Sequence, residues 1–231
     1  MKVLVACEFS GRVRDAFIKK GHNAISCDLL PSETPGPHIQ DDVRLYLDTG
    51  EWDLMIAHPP CTYLCSSGLH WNKHRPEREQ LTHEAMLFVF SLLDSPIPKI
   101  ALENPIGCIS SNYRKPDQII QPWMFGHPES KATCLWLKGL PPLAPTKYAD
   151  WKYYRCCGHA FRQEMGKYGC PFCNGTKTAK PLWDNMTPSG QNKLGPSEQR
   201  SADRARTYTG IAQAMSEQWS NQNDPKNPIS T

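Results

Sequence analysis

The stretch DLMIAHPPCTYLCSSG, residues 53–68, carries the clearest structural signal in this chain. The apolar run LMIA stops at His58 and two consecutive prolines, and Cys61 follows at once. Proline has no backbone donor, so Pro59-Pro60 ends a strand abruptly. An unbroken apolar run of this kind reads as a strand buried on both faces. Upstream, KVLVACE (2–8) has the same character, followed by an FSG turn and RVRDAFIKK. In that last segment Val13, Ala16 and Phe17 share a helical face, and Gly21 fits a C-cap. NAISCDLL (23–30) reads as a second strand ending at Asp28. Downstream, LTHEAMLFVFSLL (81–93) has helical spacing and PKIALEN (98–104) reads as another strand. Strands alternating with helices predict an α/β fold with a parallel sheet wound on both sides.

Length and composition bound the rest. The chain has 231 residues, 39% hydrophobic and 21% charged, which suits one domain with a small appendage. No apolar run reaches the length of a membrane span. The N-terminal apolar run is short and meets Glu8, unlike a secretory leader, so a cytoplasmic location with mostly reduced cysteines is expected. The net charge of +3 permits nucleic-acid binding without demanding it. HWNKHRPER (70–78) and YRKPD (113–117) are locally basic, although each alone reads as a solvated loop. After about residue 140 the periodicity is lost. The expected division is a core over 1–140, a small segment over 141–195, a C-terminal helix returning to the core within 196–220, and a disordered polar tail over 221–231.

The segment CCGHAFRQEMGKYGCPFC holds Cys156, Cys157, His159, Cys170 and Cys173. Cys170-Pro-Phe-Cys173 is a tight CxxC turn, and Cys156-x-x-His159 is a matching second knuckle. Two such turns supply the four tetrahedral ligands that Zn²⁺ requires. Cys157 could replace Cys156. Two pairs close the site, so the zinc is expected to be structural rather than catalytic.

Ligands of open α/β sheets bind beyond the carboxyl ends of the strands. Those ends carry, in order, Phe9-Ser10-Gly11, Asp28, Asp41-Asp42, Pro60-Cys61 and Glu103-Asn104. Asp28 lies 17 residues after Gly11, a spacing that suits a carboxylate on ribose hydroxyls. G-x-G-x-x-G is absent, which favours a nucleoside-containing ligand without a pyrophosphate. Each residue alone is ordinary: a turn glycine, a solvated aspartate, a packed cysteine.

This order resembles the DNA cytosine-5 methyltransferases. Phe9 and Gly11 match that family's first loop, Asp28 its acidic residue after the second strand, and Asp42-Val43 its next acidic pair. Pro60-Cys61 matches the nucleophile motif, and Glu103-Asn104 the Glu-Asn motif. The resemblance covers about residues 2–140 and implies a Rossmann-like methyltransferase fold with a small zinc-bound insert. It implies S-adenosylmethionine as donor, held by Phe9, Ser10, Gly11, Asp28, Asp42, Val43 and Pro60. It implies DNA, or a cytosine nucleotide, as partner. Cys61 would be the nucleophile at carbon 6, Glu103 would stabilise the base adduct, and Asn104 would shape the loop. Lys131, Ser66 and Arg75 are the expected substrate contacts, with SSGLHWNKHRPER (66–78) as a mobile loop over a flipped base.

The departures are AHPPC in place of the usual Gly-x-Pro-Cys, a glycine-poor first loop, no second arginine near Lys131, and a short recognition segment. They fit a compact, phage-type relative. Three rival readings remain: an amino-nitrogen methyltransferase, the same cysteine chemistry on free cytosine nucleotides or with a transferred group other than methyl, and an inactive zinc-bearing nucleic-acid-binding protein.

Overall fold

The structure is a computed structural model that describes residues 1–164, 170–173, 177–195, 197 and 199–220. The tail expected to be disordered, 221–231, lies outside the described residues. Two compact units form. The first comprises Met1–Ile120, Ala132–Ala144 and Ala205–Thr231, and the second Gln121–Lys131 and Pro145–Arg204. Residues 121–131, placed with the core by the sequence division at 140, therefore cluster with the second unit.

The first unit is built on a seven-stranded sheet. Its strands are β1 (Lys2–Ala6), β2 (Asn23–Asp28), β3 (His38–Gln40), β4 (Leu54–Ala57), β5 (Ile100–Pro105), β6 (Gln118–Ile120) and β7 (Thr133–Lys138). Their order is β3-β2-β1-β4-β5-β7-β6. The first five are mutually parallel, and β7 runs antiparallel to both β5 and β6. The sheet is thus mostly parallel, as the βα alternation predicts.

The central strands are apolar throughout because helices cover both faces. Val3–Ala6 and all four residues of β4 are inaccessible to solvent. Each large side chain so buried contributes about 1.5–3 kcal/mol. The helices of this unit are α1 (Arg12–Lys19), α2 (Ser66–Leu69), α3 (Pro76–Leu93), α4 (Ile109–Asn112) and α6 (Thr209–Ser220). On the β5 side of the sheet, α3 contributes Met86, Val89, Leu92 and Leu93 to the core. The expected C-terminal helix is α6, which packs on α1 and ties down Trp219, whose indole N–H donates to Pro141 O at 3.0 Å.

The turn into α1 is fixed by two unusual residues. Glu8 is buried, and its carboxylate accepts from the amides of Val13 (2.7 Å) and Arg14 (3.1 Å), satisfying two orphan donors at the helix start. Gly11 has φ +70, and a Cβ there would lie 2.2 Å from Thr34 Oγ1, so only glycine fits. Arg14 is 0% exposed and donates to Asp15, Ser26, Ser32, Thr34 and the Pro35 carbonyl, pinning residues 32–35 over the helix start. Arg14→Met leaves the buried Ser26 hydroxyl with one partner fewer and frees the half-buried Ser32 and Thr34. It is expected to cost about 1–3 kcal/mol, which thermal unfolding would register as a drop of several degrees.

The second unit contains a three-stranded antiparallel sheet, order β10-β8-β9, from β8 (Tyr153–Cys156), β9 (His159–Arg162) and β10 (Lys180–Leu182). The helix α5 (Arg200–Ala205) follows at the junction of the two units. Trp123 stacks on Trp183 at 5.6 Å and 2°, with Trp151 edge-on to Trp183. Ser130 and Asn185 exchange two hydrogen bonds of 3.0 and 2.9 Å. These contacts explain why residues 121–131 join this unit despite their early place in the chain.

Candidate active site and metal centre

Strands β4 and β5 are parallel neighbours, with Ala57 beside Leu102, so the residues just beyond them come out side by side. The His58 amide donates to Ala6 O at 2.9 Å and extends the ladder one residue past β4. Pro59-Pro60 then breaks it. Asn104, 2% exposed, donates through Nδ2 to Pro59 O at 2.8 Å, joining the Pro-Pro turn to β5. His58 Nδ1 lies 3.1 Å from Glu103 Oε2, and both side chains are 9% exposed.

Cys61 is half-buried, and its carbonyl accepts from the amides of Leu64 (3.1 Å) and Cys65 (3.0 Å), closing a tight turn. That turn is held from the other side as well. Ser66 N donates to Ile106 O, and Cys108 N to Leu64 O, each at 2.9 Å. Gly107 is required there, since a Cβ would lie 1.9 Å from Leu64 O. The turn that carries Cys61 and the segment that follows β5 are therefore braced against each other through the Asn104, Leu64, Ser66 and Cys108 hydrogen bonds. Glu103 and Asn104 lie near the carboxyl end of β5, and Cys61 lies four residues beyond the end of the neighbouring β4.

Beside them opens a cavity of about 370 Å³. Asp28, Asp42, Val43 and Pro60 line it, together with Phe88 and Tyr63. Burial pushes the Asp28 carboxyl up, although Leu30 N donates to it at 2.9 Å. Asp42 is held below the usual carboxylate range by its hydrogen bonds from Arg44. Cys7 and Cys27 also line the cavity; burial, then the neighbouring Asp28, raises both thiols, Cys27 to about 11. Both are neutral walls at physiological pH. Cys7 has φ 58, a left-handed backbone that turns the chain sharply at the end of β1.

Phe9, Ser10 and Gly11, expected at the donor site, do not line this cavity. Phe9 and Ser10 border a separate small void shared with His58, Ser10 Oγ donates to the Glu8 carboxylate at 3.3 Å, and Gly11 serves the turn. The physical reason is Glu8: the chain's own carboxylate takes the helix N-terminus that the first loop would otherwise offer. Sequence reasoning missed Cys7, Cys27, Tyr63 and Phe88. The usable signal was the i, i+4, i+7 face Leu81, Ala85, Phe88 of α3, all of which line the cavity.

The segment 66–78 is helical rather than a loop, comprising α2, a 3₁₀ turn over His70–His74 and the start of α3. Ser66 begins α2 and is exposed, and exposed Arg75 lies over the Trp71 ring at 5.7 Å. Arg78, the last residue of the basic stretch read from sequence as a loop over the base, lies 4.8 Å from the Tyr63 ring centroid and donates to Thr62 O at 3.2 Å. It links α3 to the residues following Cys61. Lys131 belongs to the second unit, where its Nζ donates to Arg204 O at 2.9 Å.

In the second unit the sulfurs of Cys156, Cys157, Cys170 and Cys173 all lie within 4.8 Å of one another. Cys156–Cys173 and Cys157–Cys170 are both 3.7 Å apart. A zinc tetrahedron with Zn–S near 2.3 Å has edges of about 3.8 Å, so the four thiols are spaced for that ion. The four clustered thiols include both Cys156 and Cys157, whereas the sequence pointed to one of them with His159, Cys170 and Cys173; His159 Nδ1 lies 3.6 Å from Cys157 Sγ. Cys157 has φ 45, which turns the β8–β9 hairpin so that consecutive thiols reach the same cluster. The His159 ring stacks on Phe172 at 4.4 Å.

Burial, then neighbouring thiols, raises Cys156 to about 12 and lifts Cys157 as well. Metal-free, these groups carry protons that zinc must displace, so affinity falls as pH falls, by at least about tenfold per unit. Elemental analysis should find one zinc per chain, lost in Cys170→Ser. Chelation should melt β8–β10 while leaving the seven-stranded sheet folded, as read by hydrogen exchange.

No helix among the described residues is long and apolar enough to cross a membrane. Neither a family model nor a curated protein matches the chain. Among solved structures, it is similar to a prophage-encoded E. coli protein provisionally assigned as a DNA modification methyltransferase. The TM-score is 0.40 and the identity 16%, over 65% of this chain and 52% of that one. The chain thus spans about half the length of that structure, and a likeness this loose carries no functional weight.

Proposed function

We propose that this chain is an S-adenosylmethionine-dependent DNA cytosine-5 methyltransferase that works through Cys61. The observation that carries the reading is the hydrogen bond from buried Asn104 to Pro59 O, which ties the turn carrying Cys61 to β5, the strand that also carries Glu103. A carboxylate-rimmed cavity opens beside them, lined by Pro60 from the same turn. A Pro-Cys turn alone would be unremarkable; locked to a buried Glu-Asn pair, it holds a nucleophile at a fixed place relative to an acid.

The cavity fits the donor chemically. Its volume suits a nucleoside-sized ligand, Val43, Pro60 and Phe88 offer apolar walls, and Asp28 and Asp42 offer acceptors for hydroxyls. When bound, S-adenosylmethionine supplies an electrophilic methyl group for carbon 5 of the base. The chain's own residues do the rest. The Cys61 thiolate adds to carbon 6 and makes carbon 5 electron-rich; once carbon 5 carries the methyl group, its proton leaves to water and the carbon 6–sulfur bond breaks, which restores the double bond and frees the Cys61 thiolate. Glu103 stabilises that adduct by hydrogen bonding or proton donation at the base ring. Asn104 keeps Pro59, and with it the Cys61 turn, in place. The zinc cluster folds a small segment for DNA contact, and a duplex target would be flipped out of its stack.

The test is product identification. Duplex DNA is incubated with the protein and S-adenosylmethionine, digested to nucleosides and read by mass spectrometry. 5-Methylcytosine supports the proposal. N4-methylcytosine or N6-methyladenine would replace it with the amino-nitrogen rival. Modification of free cytidine nucleotides but not DNA would move the substrate to the monomer.

A further inference from the structure

The histidine that precedes Pro-Pro-Cys is the feature the proposed chemistry leaves unused. His58 is nearly as buried as the core, at the junction of three strand ends. Its amide is tied to β1 through Ala6 O at 2.9 Å, and its Nδ1 lies 3.1 Å from Glu103 Oε2 on β5. Its ring also borders a void of about 10 Å³, whose walls include Cys7, Glu8, Phe9 and Thr207. That volume is at the threshold for one water. The titratable groups facing His58 include Glu103 from β5 and Cys7 and Glu8 from the turn after β1. The Glu8 carboxylate is committed to the α1 amides and Ser10. Glu103 is the carboxyl in ion-pair contact with the imidazole.

We propose that His58 is a positioning residue for Glu103, holding one carboxyl oxygen through Nδ1 and tying the protonation of Glu103 to that of the imidazole. The inference rests on the cytosine-5 reading, in which Glu103 must present a defined carboxyl to the base. A free carboxylate rotates about its last bond, and a buried one without a partner is costly. An imidazole at 3.1 Å addresses both problems. It limits rotation of the carboxyl and couples proton uptake by the two groups. The His58 backbone is held to β1 through Ala6 O and the carboxyl comes from β5, so the contact does not depend on a mobile loop.

The experiment compares wild type with His58→Asn and His58→Ala in single-turnover methyl transfer across pH 5.5–9. It adds ¹⁵N-histidine NMR titration of wild type and Glu103→Gln. Asn presents a non-titrating amide near the place of Nδ1, whereas Ala removes the contact. The expected result is that His58→Asn keeps the maximal rate within about tenfold but loses one limb of the pH profile. His58→Ala should lose about 10²-fold or more in kcat with KM changed only a few-fold. The His58 titration should move to lower pH in Glu103→Gln, a readout independent of activity.

Wild-type pH profiles and rates in both His58 variants would overturn the inference while leaving the cysteine mechanism standing. So would a His58 resonance indifferent to Glu103→Gln. A wild-type protein that makes no 5-methylcytosine fails the functional reading itself. That failure is told apart because it appears before any variant is made, and it removes the positioning role with it.

Discussion

Cys61→Ser is expected to abolish methyl transfer, with a loss of at least about 10⁴-fold, while the fold and donor binding persist. A thiol gives a usable thiolate near neutral pH, and a serine hydroxyl does not. Carbon 5 of cytosine is too poor a nucleophile to take a methyl group until something adds at carbon 6, so the loss should fall on the chemical step. A 10⁴-fold loss corresponds to about 5.5 kcal/mol of transition-state stabilisation. The substitution is nearly isosteric at a half-buried turn whose bonds run through the backbone, from Leu64 N and Cys65 N to Cys61 O. The melting temperature should therefore stay within a few degrees, and S-adenosylmethionine affinity should be unchanged. Methyl incorporation into DNA, measured beside a thermal melt, checks both halves. Retained activity would favour the amino-nitrogen rival, which has no use for a thiol.

Glu103→Gln should follow with a fall of about 10²–10⁴-fold in kcat and a smaller change in KM. The side chain sits 9% exposed beside His58. Glutamine keeps its length and its place in the ladder opposite Leu135, so the sheet is preserved. What goes is the ability to offer an acid to the base. Because Asn104 braces the Pro-Pro turn through its own side chain, the Cys61 position should survive this change. Steady-state kinetics on duplex DNA separates the loss of kcat from any loss of binding.

The parts legible in the sequence share a cause. Strands β1 and β4 are short apolar runs almost wholly buried, β2 and β5 are buried along most of their length, and α3 carries a long helical run, so local pattern and burial agree. Strands β3 and β6 are three residues each and only partly buried, too short for any period to show. The reversal of β7 is encoded by its partners β5 and β6, not by its own residues.

The site divides in the same way. Glu103 and Asn104 near the end of β5 and Cys61 beyond β4 are marked by neighbouring prolines, and Asn104 ties the two strand ends together through Pro59 O. Phe9, Ser10 and Gly11 carry a loop signature, but the buried Glu8 carboxylate occupies the helix start and the cavity lies elsewhere. The Cys-Cys doublet was ambiguous because the left-handed turn at Cys157 and Gly158, which sets the thiols that converge, leaves no mark in a spacing pattern. Nothing local to His58 reveals that parallel strands set it against Glu103, 45 positions on.

The central claim is that Cys61 bonds covalently to cytosine, and covalent trapping tests it most directly. The protein is incubated with S-adenosylmethionine and duplex DNA containing 5-fluorocytosine, then read by denaturing intact-mass analysis. After methyl transfer, fluorine at carbon 5 cannot leave as a proton does, so the adduct should persist. The account predicts a one-to-one protein–DNA species that depends on S-adenosylmethionine, maps to Cys61 and is absent in Cys61→Ser. Efficient methylation of ordinary DNA with no such species would contradict it.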